Sequence, residues 1–174
     1  MDKINRYFLT ITILITAYIS MAQEMQTVPH VDLKKYAGKW YEIASYPNRF
    51  QKGCFCTTAE YSISEKGYLI VENRCNKGSA NGKLSYTRGK IFIQDNSGNA
   101  KMNVRYLWLY RGKYWIIDLA DDYTYAVVSN PEKRNLWILS RTPKMNETVY
   151  RQIISRLKEK GFDITKLLIT PQIE

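Results

Sequence analysis

The feature that most constrains this chain is a succession of short β-rich runs that starts after Gly38. The runs are rich in β-branched and aromatic residues, and clusters of Gly, Asn, Asp and Pro separate them, which is typical of antiparallel strands joined by tight turns. Eight strands are predicted: Lys39–Ser45, Phe55–Ile63, Tyr68–Cys75, Lys83–Gln94, Lys101–Tyr110, Lys113–Leu119, Tyr123–Ser129 and Asn135–Ser140. An open sheet of this kind would leave two exposed edges, and closure removes them. The sequence therefore predicts an all-β fold, an eight-stranded up-and-down antiparallel barrel.

One segment near the C-terminus breaks this pattern. From Glu147 to Lys160 the apolar residues recur at helical spacing, Asn146 is suited to the N-cap, and Gly161 stands where a helix commonly ends. We predict one amphipathic helix packed on the outside of the barrel. The apolar residues of 164–169 are predicted to form a short terminal strand or a tail against the wall.

The N-terminus has the organisation of an export signal. Lys3 and Arg6 precede the apolar run Tyr7–Ile19, and Ser20-Met21-Ala22 has the small-x-small pattern of a cleavage site. This run is shorter than the roughly 20 residues that cross a bilayer as a helix. We therefore predict a signal peptide at 1–22 and one exported domain at 23–174. The expected location is the periplasm, the outer-membrane periphery or the extracellular space, and the predicted cleavage site has no lipobox cysteine.

Composition restricts the chemistry that this chain can perform. His30 is the only histidine, so no multi-histidine metal site is expected, and the sequence has neither a Gly-x-Ser-x-Gly elbow nor a phosphate-binding glycine loop. We predict no metal, no cofactor and no enzymatic activity. The formal net charge of +10 permits peripheral contact with an anionic membrane surface, although the basic residues are scattered along the sequence. Nucleic-acid binding is not favoured, and a monomer or weak homodimer is expected.

Three cysteines in an exported chain allow at most one internal disulfide. A two-residue turn at Glu65-Lys66 would place Cys56 opposite Cys75, whereas a longer turn or a bulge would leave Cys54 as the partner of Cys75. The Cys56–Cys75 pairing is ranked first and Cys54–Cys75 is the alternative.

Three motifs in order carry a resemblance that extends over nearly the whole exported chain. They are Gly38-Lys39-Trp40-Tyr41-Glu42-Ile43-Ala44, then Asp122-Tyr123, then Leu136-Trp137-Ile138-Leu139-Ser140-Arg141-Thr142-Pro143. In these motifs the chain resembles the lipocalin family, and within it the subgroup of bacterial lipocalins and apolipoprotein D. The resemblance implies a calyx with one closed and one open end. It also implies that Gly38, Trp40, Tyr123 and Arg141 are structural, with the Arg141 guanidinium stacked on the Trp40 indole.

The candidate ligand site is the upper part of the barrel. Strand alternation turns Tyr61 inward, and the resemblance places Tyr36, Leu69, Val71, Asn73 and Trp137 in or beside the pocket. Further aromatic candidates are Tyr106, Trp108 and Tyr125, each of which could equally be core or outward-facing. Arg49 and Phe50 belong to the connection between the first two strands, which is predicted to be a lid.

These residues favour the binding and transport of a small hydrophobic ligand, such as a fatty acid, a lysophospholipid or another membrane-derived lipid. A tetrapyrrole or other pigment is the alternative ligand. A hydrolase or isomerase acting on lipid is the alternative from a different class.

The first prediction concerns processing. Export should yield a chain that starts near Gln23 and carries no acyl group, because Met21-Ala22-Gln23 offers no cysteine for lipidation. Intact-mass spectrometry of the protein purified from its host tests this. A mass that includes an N-terminal diacylglycerol, or that retains Tyr7–Ile19, would contradict the prediction.

Overall fold

A computed structural model describes residues 25–107 and 110–173 of the chain. The predicted signal peptide and Trp108 lie outside the described residues. The strands in chain order are β1 (Gly38–Ser45), β2 (Cys54–Ile63), β3 (Leu69–Lys77), β4 (Lys83–Ile93), β5 (Lys101–Tyr106), β6 (Tyr110–Leu119), β7 (Tyr125–Ser129), β8 (Leu136–Ser140) and β9 (Leu168–Ile169). The helices are α1 (Leu33–Tyr36), α2 (Glu147–Glu159) and a 3₁₀ turn at Ile164–Lys166.

The first eight strands form a closed antiparallel barrel, which confirms the predicted fold. Each strand from β2 to β7 pairs with the strand that follows it, and β1 pairs with both β8 and β2. The predicted boundary between Lys101–Tyr110 and Lys113–Leu119 is wrong, because Tyr106 pairs with Tyr110 and Arg111 and Gly112 lie within β6. Gly112 lies opposite Val104, where its missing side chain leaves room beside the Tyr110 ring.

Strands β1 and β2 pair only at one end of the barrel. The β1–β2 register runs from Gly38 opposite Tyr61 to Tyr41 opposite Thr58, after which β2 bulges away. Further along β1, Ala44 and Ser45 pair with β9 in the place that β2 has left.

The C-terminal segment fills the gap between the two strands. The Cys56 N–H donates to the Pro171 carbonyl at 2.7 Å, and the Gln172 side-chain amide donates to the carbonyls of Glu42 and Thr57 at 2.7 and 3.0 Å. The predicted terminal strand is confirmed, and it acts as part of the barrel wall.

The end of the barrel at which β1 and β2 pair is closed by Trp40, which is fully buried. The Arg141 guanidinium carbon lies 3.8 Å from the centroid of the Trp40 ring, and the indole N–H donates to the Tyr36 carbonyl at 2.8 Å. Arg141 also donates to the carbonyls of Lys35 and Lys39, at 2.5 and 2.9 Å. The predicted Trp40–Arg141 stack is therefore confirmed.

Two further residues of the structural motif hold this end together. Tyr123 accepts a hydrogen bond from the Asp32 N–H at 2.8 Å, and its carbonyl accepts from Nε of Arg141 at 3.3 Å. Gly38 has a φ of +95°, and a β-carbon there would stand 3.4 Å from the Arg141 guanidinium. A larger residue at this position would be strained in its backbone and would crowd the stack.

Two apolar layers lie on either side of the barrel wall. The inner layer fills the closed half of the barrel, and the outer layer packs beneath α2, whose Ile153 and Leu157 are buried. Asn146 caps α2 by accepting from the N–H groups of Thr148 and Val149, as predicted. Among the described residues, no helix has the length and apolar character needed to cross a membrane.

The disulfide joins Cys54 to Cys75, and the ranking of Cys56–Cys75 first was wrong. The β2–β3 connection has five residues instead of two, so that Ile63 lies opposite Leu69 and the register shifts by one residue. Cys56 lies within the bulge between Phe55 and Thr58, with a φ of +53°, and it is the free thiol.

The closed end generates a stability prediction. Trp40→Ala should lower the free energy of unfolding by about 3–5 kcal/mol, as a large-to-small core substitution. Arg141→Ala should lower it by about 2–3 kcal/mol, because it removes a cation–π contact and charge-assisted hydrogen bonds to carbonyls. The control Arg151→Ala, at an exposed position on α2, should change it by less than about 0.5 kcal/mol. Equal denaturant midpoints for the two arginine variants would contradict the stacking role.

Candidate functional site

The upper half of the barrel encloses a cavity of about 910 Å³ that opens at the end opposite Trp40. The β1–β2 connection, 46–53, crosses one side of the opening. Aromatic and aliphatic side chains supply most of the cavity wall, among them Phe50, Tyr61, Val104, Tyr106, Trp137 and Leu139. The volume lies in the upper part of the range of about 300–1,000 Å³ that is usual for small-molecule sites.

Most of the predicted site residues are brought together here. The structure places these six at the cavity: Arg49, Phe50, Tyr61, Asn73, Tyr106 and Trp137. Three others lie in the closed half of the barrel below the cavity, each at most 1% exposed: Tyr36, Leu69 and Val71.

Tyr125 does not face the cavity. Its ring packs against the outer apolar layer, and its hydroxyl accepts a hydrogen bond from Arg156 of α2 at 2.9 Å. The inward positions of β7 are Ala126 and Val128. Because Ala126, Val127 and Val128 are all buried, the sequence of β7 has no polar alternation from which the inward face could be identified.

Two buried tyrosines, Tyr61 and Tyr114, form the floor of the cavity, and a third, Tyr36, lies below them. The Tyr114 hydroxyl lies 2.6 Å from the Tyr36 hydroxyl and 2.9 Å from the Tyr61 hydroxyl. Burial raises the pKa of all three phenols well above the ordinary value of 10, so they stay neutral at physiological pH. The hydroxyls satisfy one another, and the floor presents a neutral aromatic surface to a ligand.

A second polar pair lies on the adjoining wall. The Asn73 amide donates to the Tyr106 hydroxyl at 2.7 Å, and burial raises the pKa of Tyr106 to about 12. The Tyr106 ring crosses the backbone of β4 at Gly89, where a β-carbon would stand 2.8 Å from the ring. Gly89 is therefore the position of β4 that admits this ring.

The buried carboxylate of Glu42 lies in the cavity wall where β1 and β2 separate. It accepts hydrogen bonds from the Ser45 and Thr170 hydroxyls at 2.9 and 2.6 Å, and from the Gln51 side-chain amide. Gln51 in turn accepts from the Trp137 indole N–H at 3.0 Å. Desolvation raises the pKa of Glu42, and its three donors partly oppose that rise.

This network connects four parts of the wall. Gln51 belongs to the β1–β2 connection, Trp137 to β8, Glu42 to β1 and Thr170 to the C-terminal segment. Sequence reasoning missed Gln51, because a glutamine in a connecting segment carries no sequence signal for a buried partner.

An aromatic contact narrows the mouth. The Phe50 ring lies 4.9 Å from the Tyr110 ring, and Tyr110 lies 6.1 Å from Tyr106. The guanidinium carbon of Arg49 stands 4.8 Å from the Phe50 ring centroid. The connection 46–53 therefore reaches the first residue of β6, as expected of a lid. Sequence reasoning missed Tyr110, because it placed that residue before a turn.

The site has the chemistry of binding. Within 25–107 and 110–173, no group of three or more His, Cys, Asp and Glu residues could hold a metal ion. The Tyr61–Tyr114, Asn73–Tyr106 and Glu42–Gln51 groups are paired by hydrogen bonds, whereas the buried Thr57 hydroxyl has no partner. Burial keeps the tyrosines neutral. Apolar contact is therefore the main interaction that the wall offers.

Comparison with known proteins agrees with this geometry. A family model described as a lipocalin-like domain matches residues 31–172. The chain is 36% identical to temperature-induced lipocalin-1 of Arabidopsis thaliana over 86% of this chain and 84% of the relative. It is 30% identical to the outer membrane lipoprotein Blc of Vibrio cholerae, covering 95% and 97%. It is 31% identical to apolipoprotein D of Bos taurus, covering 82% and 77%.

Glu42 generates a prediction about pH. The folded protein binds this proton more tightly than the unfolded chain, so the free energy of unfolding falls as pH rises from about 4.5 through the raised pKa of Glu42. Glu42→Gln cannot ionise, and its stability relative to wild type should therefore increase with pH across this window.

Urea unfolding at several pH values above 4.5 measures this difference. The matched control is Glu65→Gln, on the exposed β2–β3 connection. If the difference in free energy of unfolding between Glu42→Gln and wild type does not change with pH, ionisation of Glu42 does not destabilise the folded protein, and the prediction is wrong.

Proposed function

This chain belongs to the lipocalin family, and from that membership and its cavity we propose that it binds and carries one membrane-derived lipid, such as a fatty acid or lysophospholipid. Lipocalins as a family bind small hydrophobic ligands. We propose further that it does so after export, in the cell envelope or outside the cell.

The observation that carries the proposal is the combination of an apolar wall with one open end. An acyl chain in the cavity would contact the rings of Tyr61, Tyr106 and Trp137. Each buried methylene contributes about 0.8 kcal/mol, so about ten methylenes contribute about 8 kcal/mol, the free energy of micromolar binding before ordering costs. Apolar burial alone is thus sufficient for useful affinity.

Charge sets the orientation of the ligand. Glu42 lies within the wall and would repel an anionic group, whereas Arg49 lines the opening. The structure supports a ligand with its acyl chain inward and its polar or anionic head at the mouth.

Native mass spectrometry of the protein purified from its own host tests the ligand class. A retained fatty acid or lysophospholipid supports the proposal, whereas a coloured ligand would favour a pigment carrier. An added lipid ester that is turned over in many cycles would favour the enzyme instead.

Indole fluorescence tests the site itself. Titration with a fatty acid should change the emission of wild-type protein, and Trp137→Phe should remove much of that change because Trp137 lines the cavity. Trp137→Ala should weaken binding by about 1–3 kcal/mol, the order of a buried aromatic contact.

The matched control is Trp115→Phe, because Trp115 is buried in the outer apolar layer under Lys101. Two outcomes contradict the site. One is a folded Trp137→Ala variant that binds as tightly as wild type. The other is a signal that survives in Trp137→Phe and disappears in Trp115→Phe.

A further inference from the structure

The two ends of the barrel carry opposite charge in their hairpin connections. The connections at the closed end, 64–68, 94–100 and 120–124, contain one basic residue, Lys66, and four acidic ones: Glu65, Asp95, Asp121 and Asp122. The connections at the mouth contain Glu132 and four basic residues: Arg49, Lys52, Lys133 and Arg134. The hairpin connections at the mouth thus carry an excess of basic residues, whereas α1 and β1 place Lys34, Lys35 and Lys39 beside the acidic connections of the closed end.

Strand ends add to the basic charge of the mouth. Four basic residues lie within the strand segments that border it: Lys77, Lys83, Arg111 and Lys113. Some of this charge is paired internally, since Lys113 faces Glu132 at 3.8 Å and Lys77 donates to the Phe50 and Lys52 carbonyls. The exposed cations around the opening, in the part of the chain that is described, include Arg49, Lys52, Lys83, Arg111 and Arg134.

Exposed apolar side chains stand among these cations. Phe50 is 55% exposed on one side of the opening and Leu107 is 80% exposed on the other. Leu84, at the start of β4, is also exposed. They lie on three separate segments at the rim of the open cavity: the β1–β2 connection, the start of β4 and the segment after β5. Apolar side chains flanked by cations match the interface of an anionic bilayer, where the acyl chains lie below the lipid phosphates.

We propose that the mouth of the barrel is a docking surface for an anionic phospholipid bilayer. Phe50 and Leu107 enter the interface, while Arg49, Lys52, Lys83 and Arg111 bind lipid phosphates. This goes beyond the proposed function, since it concerns the outer rim and not the cavity.

Vesicle flotation tests the electrostatic part. The protein is purified after export from an expressing bacterium, and the vesicles are phosphatidylcholine alone or equal parts of phosphatidylcholine and phosphatidylglycerol. Wild type should bind only the anionic vesicles, and less at high salt. The double variant Lys83→Glu with Arg111→Glu should bind them at least about tenfold more weakly, since each basic residue near an anionic surface contributes about fivefold.

The matched control reverses two charges at the other end. Lys34→Glu with Lys66→Glu makes the same change in net charge, and both lysines are exposed. This variant should lose less than about threefold in binding, because its charges lie a barrel length from the membrane, beyond the Debye length of about 10 Å. Equal losses in the two double variants would show attraction by net charge alone and would overturn the proposal, as would failure of wild type to bind anionic vesicles.

A second pair of variants tests the apolar part. Leu107→Ser should weaken vesicle binding by several-fold, whereas Ile63→Ser, at an exposed position toward the closed end, should not. Equal binding by both would overturn insertion at the mouth. Neither Lys83 nor Arg111 lines the cavity, so their variant should keep the fatty-acid response of wild type. If wild type does not bind anionic vesicles but keeps its fluorescence response to fatty acid, only the docking proposal fails. If wild type binds the vesicles but shows no response to fatty acid, only the proposed function fails.

Discussion

The separation of β1 from β2 beyond Tyr41 is the constraint on which the rest of this structure depends. Below it the two strands pair directly, and the barrel is narrow enough for Trp40 and Arg141 to close it. Above it the C-terminal segment stands between the strands and widens the wall. One strand pair thus produces both a sealed end and a cavity. Because eight strands leave an interior only just wide enough for side chains or one small ligand, this local widening decides whether a ligand fits.

The polar groups of the cavity wall follow from the same widening. Where β2 leaves β1, the backbone carbonyls of Glu42 and Thr57 lose their strand partners, and the Gln172 amide replaces them. The Glu42 side chain is buried at this junction, and donors from Ser45, Thr170 and Gln51 compensate part of its desolvation. A buried carboxylate costs free energy unless donors surround it. Here it also fastens the connection 46–53 and the C-terminal segment to β1.

Much of the fold could be predicted from the sequence because its signals are local. Turn residues between β-rich runs mark the ends of most strands. The spacing of apolar residues, together with Asn146 as N-cap, predicts α2. The inward positions of β2 and β3 could be predicted because these strands alternate polar and apolar residues. Trp40 and Arg141 could be paired because their motifs stand at the two strand ends that meet at the closed end.

The features that could not be predicted from the sequence depend on one-residue shifts along a strand or on contacts between distant segments. The disulfide depends on a bulge in which Cys56 and Thr57 lie between Phe55, opposite Asn76, and Thr58, opposite Arg74, and no local sequence signal marks that bulge. The outward position of Tyr125 follows from the phase of a strand that is buried on both faces. The Glu42–Gln51–Trp137 network joins residues from three segments, and only the closed barrel brings them together. The gathering of basic residues at the mouth has the same origin.

A barrel sealed at one end makes its opening serve two purposes. A ligand can enter or leave only at the mouth, because the closed end is filled by buried side chains held by Arg141. A membrane-derived lipid that left a bilayer through bulk water would expose its acyl chain, at about 0.8 kcal/mol for each methylene. Docking of the mouth on the membrane avoids that exposure, because the cavity then opens into the interface. Phe50 lies at the centre of this arrangement, since it is exposed to the membrane on one side and contacts Tyr110 across the opening on the other. Phe50 therefore belongs both to the wall of the cavity and to the proposed docking surface.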